Sequence, residues 1–429
     1  MIDADAMAQP LASGNFSGLG EFMNFPGVIH ADSDVLDKLL AAQKYDIPVD
    51  GHSPGIQSYE LNAYASAGIH TDHECSEPQE VLDKIARGMY ALLREGSACR
   101  DLRKLLKAVT TENSRRCLLC TDDCQPKTIR EIGHLENHLR ICVEEGLSPI
   151  TAIQMASLNA AECYGLKDRG SISPGKQADF VIFDNLQNFN PLKVYIAGKL
   201  VAEKGQFLSA IHRQEISAVE DTMHLKYFSK NDLRLTLQSE SVYAIGILSG
   251  GVVTKKEKTL IKRNQQNEFL YEPQNDVVKM AVIERHHNTG NHAVALLKGY
   301  GLKCGAIALS IAHDSHNIIT VGADDDDMVL AVQKLVEQKG GIVLVKDKEV
   351  IETMPLPVAG LMSDQSGEWV DQKLTQIHQT AHHILGVNPD VEPIMTLCFM
   401  SLPVIPELKL TDSGLFDVKQ FQFIPLEAE

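Results

Sequence analysis

Short apolar runs alternate with helix-forming stretches from residue 16 to about residue 185. Apolar positions at helical spacing predict helices over 33–44, 58–67 and 77–95. Between and after them, brief apolar runs predict strands at 47–49, 68–71 and 117–120. Strands that alternate with helices in this way are typical of parallel β/α units. The pattern therefore predicts an α/β fold for the first part of the chain.

Side chains of the metal-ligand type follow these predicted strands. His52, His73 and Asp122 each come directly after one of the apolar runs. In a closed (β/α)8 barrel, the carboxyl ends of the strands converge on the active site. Periodicity alone does not separate such a barrel from an open, doubly wound sheet. The repeated placement of His and Asp at strand ends favours the barrel.

The pattern changes after residue 170, where short strands and turns predict a small β element. Beyond it, β-rich segments near 241–254 and 278–285 and a helix near 326–338 indicate a second mixed region. We therefore predict three parts, which are a partial (β/α)8 barrel, a β-sandwich segment and a C-terminal α+β domain. Their predicted boundaries are 1–169, 170–215 and 216–429.

Composition narrows the classes of function. The chain has 429 residues, with 57 acidic against 40 basic side chains and a formal charge of −17. That balance argues against a nucleic-acid partner, because such binding rests mainly on Lys and Arg contacts to phosphates. No apolar run approaches the roughly 18 residues that span a bilayer, and the acidic start does not resemble a signal peptide. Nine scattered cysteines do not indicate a disulfide framework. We expect a cytoplasmic protein with a small-molecule partner and no membrane partner.

Four residues form the candidate metal set, namely Glu21, His52, His73 and Asp122. Neutral imidazole suits Zn, Mn or Fe, and a carboxylate can bridge two ions. Two ions would together lower the pKa of a bound water and polarise the bond under attack. A single His at a strand end is more often a structural residue. Four such residues on separate elements favour a metal site without excluding the structural interpretation.

Several long segments resemble a known family. The string GSISPGKQADFVIFD (170–184) looks like the closing signature of the amidohydrolase superfamily. Nearly the whole chain resembles the adenine deaminases within it. The matching segments are GLGEFMNFPGV (18–28), VDGHSPG (49–55), AGIHTDHE (67–74), REGSACRDL (94–102), CTDD (120–123), AIALSIAHDSHN (306–317), LPVAGLMS (356–363) and LPVIPELKLTDSGLFDV (402–418).

The resemblance implies roles for the metal set and a Mn²⁺ or Fe²⁺ cofactor, with two ions per site in the family. Glu21 matches the carboxylate that bridges the two metals. His52 and His73 match the histidines at the ends of the fifth and sixth barrel strands. Asp122 matches the acid of the eighth strand, which binds metal and transfers the proton of the attacking water. The implied reaction converts adenine to hypoxanthine and ammonia.

Two neighbouring carboxylates have open roles. Glu74 is the natural partner for a purine ring nitrogen, and it could equally orient His73 without touching substrate. Glu74 is therefore a catalytic candidate, together with Asp122. Asp123 is a candidate for the substrate pocket or an interface, and is expected to support its neighbour rather than to react.

The C-terminal region carries a separate polar cluster. His313, Asp314 and His316 are candidates for a substrate pocket or an interface. Two histidines at this spacing could alternatively bind a metal. Arg285 and His286 follow an apolar strand, where a hydrogen-bonded interface pair is the better interpretation.

One departure from the family pattern bears on activity. The family pattern begins with a β-sandwich segment and a His-x-His pair on the first barrel strand, and no His-x-His lies upstream of Glu21 here. We expect a longer protein, a partner chain that supplies the missing strands, or a decayed relative. The second metal should then be weakly held and turnover by this chain low. The alternatives are a non-catalytic remnant or binding module, or an amidohydrolase of another purine or cyclic amide. A homo-oligomer is expected.

Overall fold

The structure, a computed structural model, describes residues 2–97, 99–248 and 253–428. Part of the predicted β segment at 241–254, namely 249–252, lies outside the described residues. The chain divides into two compact units, residues 1–212 (unit 1) and 213–429 (unit 2). Within the described part, no helix is both long enough and apolar enough to cross a membrane.

Unit 1 begins with alternating strands and helices and ends in a small sheet. In chain order its elements are α1 (Ala4–Ala12), β1 (Leu19–Phe22), α2 (Phe25–Ile29), α3 (Ser33–Lys44), β2 (Val49–Gly51), α4 (Ser58–Ser66), β3 (Thr71–Asp72), α5 (Pro78–Ala86), β4 (Tyr90–Arg94), α6 (Leu102–Leu105), β5 (Cys117–Cys120), α7 (Pro126–Glu131), α8 (Leu135–Glu144), α9 (Pro149–Ala156), α10 (Leu158–Cys163), β6 (Phe180–Phe183), β7 (Pro191–Ile196), β8 (Lys199–Glu203) and β9 (Gln206–Phe207).

The strands of the first part of unit 1 pair in parallel, as the alternation predicts. β1 pairs with β2, and β3, β4 and β5 form a second parallel sheet. A backbone hydrogen bond of 3.4 Å from His70 N to the carbonyl of Val49 links the two sheets. Because the paired strands are parallel, their carboxyl ends lie on the same side of the sheet. The predicted α/β class, with a partial barrel followed by a C-terminal α+β domain, is confirmed.

The helix predicted over 77–95 is wrong in its second half. The helix α5 ends at Ala86, and Gly88 follows with a left-handed φ of 82°. Residues 90–94 form strand β4, which lies between β3 and β5. Ala91 and Leu93 are fully buried there. Parallel pairing with β5 therefore overrides the helical spacing of this apolar run.

The chain then forms a small antiparallel sheet, with strand order β6-β7-β8-β9. Its residues are mostly half-buried or exposed. This sheet lies within the segment predicted to be a β-sandwich element.

Unit 2 is dominated by strands. Its elements are β10 (Ser241–Ile247), β11 (Thr254–Leu260), β12 (Lys262–Arg263), β13 (Phe269–Leu270), β14 (Val277–Ile283), β15 (His292–Lys298), β16 (Ala306–Leu309), β17 (Ile318–Gly322), α11 (Asp325–Glu337), β18 (Gly341–Lys346), β19 (Glu349–Pro355), α12 (Gly367–His383), α13 (Pro393–Cys398), β20 (Leu408–Thr411), β21 (Gly414–Asp417) and β22 (Gln422–Phe423).

An eight-stranded sheet forms the centre of unit 2, with the order β11-β10-β15-β14-β17-β16-β18-β19. All its pairs are antiparallel except β10 with β15. Alternate residues of the strands enter two cores, one that contains α11 and one that contains α12. Every residue of β14 is buried. Apolar layers thus cover both faces of the sheet.

We predict that Leu344→Ala lowers the free energy of unfolding by about 2–5 kcal/mol, because it leaves a cavity in a packed core. Leu344 is 0% exposed on β18, whereas Leu260, at the end of β11, is 72% exposed. Urea denaturation followed by circular dichroism measures the change. Leu260→Ala is the control and should cost less than about 0.5 kcal/mol. Equal effects of the two substitutions would contradict the assignment of this core.

Candidate metal centre

The carboxyl ends of the parallel strands bring the candidate metal residues together. Glu21 lies on β1, and His52 and His73 come directly after β2 and β3. The Glu21 carboxylate oxygen Oε1 lies 2.6 Å from His52 Nδ1 and 3.0 Å from His73 Nε2. The two imidazole rings meet edge to face, with centroids 5.4 Å apart. These three residues form the first candidate ligand group.

A second candidate ligand group shares His73 and adds Glu74 and Asp122. In each group the ligand atoms lie within 4.8 Å of one another. Glu74 Oε1 is 3.6 Å from His73 Nε2 and 3.7 Å from His52 Nδ1, which joins the two groups into one cluster. The structure thus brings all four residues of the predicted metal set, together with Glu74, into one cluster at the carboxyl ends of the strands.

Backbone contacts hold these strand ends close together. The Tyr64 hydroxyl donates to the Phe22 carbonyl at 2.7 Å and accepts the His52 N–H at 2.9 Å. It thereby joins the end of β1 to the end of β2. Gly51 permits the close approach of β3, since a Cβ at this position would lie 2.3 Å from the Thr71 carbonyl oxygen. A side chain at position 51 would push His52 and His73 apart.

The end of β5 is held in a similar way. His138 Nε2 lies 2.8 Å from the Cys120 carbonyl oxygen, and its Nδ1 lies 3.1 Å from that of His134. Asp122 then adopts a left-handed backbone with φ of 59°. Asp tolerates this conformation better than most residues with a Cβ, and such positions cluster at functional sites.

The two histidines shift the protonation of Glu21. Hydrogen bonds from His52 and His73 hold the pKa of the Glu21 carboxyl far below its usual range, against the opposing effect of burial. Burial alone would lower the pKa of His73, but the hydrogen bond and charge of Glu21 raise it overall. Glu21 is therefore an anion that attracts cations into this cluster.

The donor set fits a divalent cation. Two imidazole nitrogens and three carboxylates are ligands that Zn, Mn and Fe accept. Metal ligands must be deprotonated, so an ion would replace the protons that the imidazoles now share with Glu21. Three carboxylates at one place also carry more negative charge than the neighbouring guanidinium of Arg94 offsets.

Arg94 is the site residue that the sequence analysis missed. Its Nη1 donates to Glu74 and, at 2.8 Å, to Asp122 Oδ2, while Nη2 lies 3.5 Å from the Asp101 carboxylate. Arg94 is only 5% exposed, and the two carboxylates raise its pKa despite the opposing effect of burial. A single helix over 77–95, as the apolar spacing predicts, does not place Arg94 at a strand end. The sequence signal that could have identified it is a basic residue directly after the apolar run YALL.

Asp123 contacts a different segment. Its Oδ1 lies 3.4 Å from the Cys99 N–H nitrogen, and its carbonyl accepts the Ser97 N–H at 2.7 Å. A Cβ on Gly96 would lie 2.1 Å from Asp123 Oδ1. The structure therefore places Asp123 against Gly96, Ser97 and Cys99 and outside both ligand groups.

The C-terminal candidates lie in unit 2. His313 stacks on Phe399 with centroids 4.8 Å apart, and its Nδ1 lies 3.6 Å from the Asp314 carboxylate. The rings of His313 and His316 are 5.5 Å apart. Among the described residues of unit 2, no three ligand-type side chains come close enough to form a metal group.

Arg285 and His286 make hydrogen bonds within unit 2. Arg285 is nearly fully buried and donates to the carbonyls of Thr222, His316 and Ala359. Burial lowers its pKa to about 10. His286 Nε2 lies 2.7 Å from the Ser315 carbonyl oxygen. Together they tie the loop before β17 to the rest of unit 2.

Family models match both units of the chain. The model described as "Adenine deaminase C-terminal domain" matches residues 251–422. A model described as "Amidohydrolase family" matches residues 14–201, and a second one of that description matches residues 133–281.

Curated relatives match along the whole chain. "Adenine deaminase 2" of Desulfotalea psychrophila is 61% identical over 427 residues, which cover 100% of this chain and 74% of that protein. "Adenine deaminase" of Ligilactobacillus salivarius is 50% identical over 426 residues, 99% of this chain and 74% of that protein. Among solved structures, a β-aspartyl dipeptidase of Fervidobacterium islandicum overlaps 48% of this chain and 62% of its own, with a TM-score of 0.40 and 16% identity.

We predict that His52→Ala weakens the binding of Mn(II) at least about 100-fold. Loss of an outer-shell partner alone costs about 10–100-fold, and His52 belongs to the first ligand group. His70→Ala is the control, because His70 precedes β3 and lies outside both ligand groups. Calorimetric titration, with metal analysis of the dialysed protein, measures the difference. Unchanged Mn(II) affinity in His52→Ala would argue against a metal at this cluster.

Proposed function

We propose that this chain, which belongs to the adenine deaminase family of the amidohydrolases, hydrolyses adenine to hypoxanthine and ammonia. One structural observation carries the proposal. Glu21, His52, His73, Glu74 and Asp122 converge at one strand edge, as a hydrolytic metal site requires. Similarity to relatives named for this activity extends over both units.

The proposed cofactor is Mn²⁺ or Fe²⁺. Glu21, His52 and His73 would hold one ion, and His73, Glu74 and Asp122 offer ligands for another. A bound divalent cation lowers the pKa of a water molecule and polarises the bond under attack. The mixed carboxylate and imidazole donors support Mn²⁺ or Fe²⁺ over a thiolate-type zinc site.

The reaction transfers two protons from water, and we assign each transfer to one carboxylate. Water adds its oxygen to C6 of adenine, one of its protons leaves with the amino group as ammonia, and the other ends on ring nitrogen N1. We assign the first transfer to Asp122, which accepts the water proton and returns it to the departing nitrogen. Arg94 holds Asp122 Oδ2 at 2.8 Å, which fixes the carboxylate for this exchange.

Glu74 is the proposed carrier of the second proton, at N1. Its carboxylate lies beside His73 and is held by Arg94, so its position is constrained from two sides. The same contacts also suit the other role that the sequence leaves open for Glu74, which is to orient His73. Asp123 contacts Ser97 and Cys99 and is proposed as a support for Asp122.

The alternatives are not favoured. A non-catalytic module would not need five ligand-type side chains gathered around one point. A hydrolase of another purine or cyclic amide is disfavoured by relatives named adenine deaminase that match unit 2 as well as unit 1. All nine cysteines are free, as is usual for proteins of a reducing compartment, and this agrees with the proposed cytoplasmic setting. The proposed role in purine salvage rests on the proposed reaction alone.

We predict that the 429-residue protein, loaded with Mn(II), releases ammonia and hypoxanthine from adenine in equal amounts. Because the two ligand groups share His73, the second ion has only Glu74 and Asp122 to itself and should be weakly held. Turnover should then be low, and labelled adenine with chromatographic detection is the suitable assay. Guanine serves as the substrate control. Absence of any hypoxanthine from metal-loaded protein would refute the proposed activity. Rapid turnover with two ions per chain would contradict only the expectation of a weak second ion.

We predict that Asp122→Asn lowers kcat about 10²–10⁴-fold, the usual contribution of general acid–base help. An amide keeps the shape of the side chain but cannot accept and return the proton. Asp123→Asn is the matched control and should lower kcat less than about 10-fold, because Asp123 lies outside both ligand groups. Retention of a tenth of the wild-type kcat in Asp122→Asn would remove Asp122 from the proton transfer.

A further inference from the structure

A buried carboxylate lies just behind the candidate metal ligands. Asp72 is 0% exposed, and its Oδ1 lies 2.7 Å from the ammonium nitrogen of Lys84, which is 1% exposed. The same oxygen accepts the Glu74 N–H at 2.8 Å, and the other oxygen accepts the hydroxyl of the fully buried Ser53. Lys84 also lies 3.4 Å from the Ser53 carbonyl oxygen. We call Asp72, Lys84 and Ser53 the Asp72 network.

The Asp72 network touches the two segments that carry His52, His73 and Glu74. Ser53 follows His52, and Asp72 precedes His73. The carboxylate of Asp72 therefore ties the end of β2 to the end of β3 and fixes the amide of Glu74. Lys84, on α5, anchors this tie to the helix that follows. Moving the backbone at His52 away from the backbone at His73 and Glu74 would therefore strain or break a bond of this network.

The charge of the pair points to a role beyond stability. A fully buried ion pair loses the hydration of both groups, and an apolar pair of similar volume often stabilises a fold equally well. Directional bonds are what an apolar pair cannot supply. In the Asp72 network these bonds end on the segments that carry the ligands.

We propose that Asp72, with Lys84 and Ser53, is a positioning residue that presets the geometry of His52, His73 and Glu74 for metal binding. The inference rests on the metal site of the proposed function and does not depend on adenine as the substrate. Outer partners of metal ligands typically change metal affinity about 10–100-fold. An effect of that size is expected here.

The test compares two charge-neutral double variants. Asp72→Asn with Lys84→Met removes the ion pair without leaving an unpaired buried charge. The control is Asp325→Asn with Lys279→Met, which removes a partly buried Lys–Asp pair of 2.6 Å in unit 2. Co(II) is the probe, since its absorption spectrum reports ligand geometry. Thermal unfolding of the metal-free proteins shows whether both variants fold.

The Asp72/Lys84 variant should bind Co(II) about 10–100-fold more weakly than wild type, with an altered absorption spectrum. The Asp325/Lys279 variant should keep the affinity and spectrum of the wild type. Unchanged Co(II) affinity and spectrum in a folded Asp72/Lys84 variant would overturn the proposal and leave this pair a purely structural role.

Ser53→Ala provides the deciding measurement if the double variant does not fold. It removes one bond to Asp72 and should weaken Co(II) binding several-fold, with Ser53→Thr restoring part of the loss. Wild-type affinity in Ser53→Ala would then overturn the proposal. A wild-type protein that binds Co(II) but releases no ammonia from adenine would refute the proposed function alone. Failure of the wild type to bind Co(II) would refute both.

Discussion

Three carboxylates lie close together at the carboxyl ends of the parallel strands of unit 1. The negative charge concentrated there is the feature on which the rest of unit 1 depends. Glu21, Glu74 and Asp122 are anions whose mutual repulsion costs on the order of a few kcal/mol per close pair near a protein surface. Cations or hydrogen-bond donors must therefore surround them. His52 and His73 face Glu21, and Arg94 bonds to the other two. A divalent cation completes the same balance more fully than shared protons do.

Rigid support around this cluster has a physical purpose. Carboxylates that repel one another separate unless the backbone holds them, and exposed loops do not hold a backbone well. Tyr64 joins β1 to β2, the Asp72 network joins β2 to β3, and His138 holds the end of β5. Each support is a buried polar group with its hydrogen bonds directed at a strand end. The cluster is preorganised before any ion arrives, which avoids the cost of assembling it during binding.

The two units use buried polar groups in different ways. Unit 2 is a sheet with apolar layers on both faces, and it also buries charged groups such as Arg285. Burying such groups is unfavourable unless each is paired, and Arg285 is held by backbone carbonyls of unit 2. In unit 1, Asp72, Lys84, Arg94 and His138 are buried around the strand ends that carry the candidate ligands. The buried polar groups of unit 1 therefore support a ligand cluster, whereas Arg285 ties together segments of unit 2.

The order of local elements was determined by the sequence itself. Helix α3 coincides with its predicted range, β5 does too, and α11 lies within a residue of its prediction. The residues at the strand ends also followed from local pattern, because periodicity depends only on neighbours along the chain. Likewise, the similarity to adenine deaminases was visible in strings of consecutive residues.

Only the tertiary structure decided which side chains meet. The run at 90–94 could be helix or strand by its apolar spacing, and pairing with residues 117–120 made it a strand. That pairing carried Arg94 to Glu74 and Asp122, and a similar long-range contact joined Lys84 to Asp72. Parallel pairing connects residues far apart in sequence, so no local pattern records it. The ligands could be named from the chain, but their supports depended on contacts that exist only once the strands are assembled.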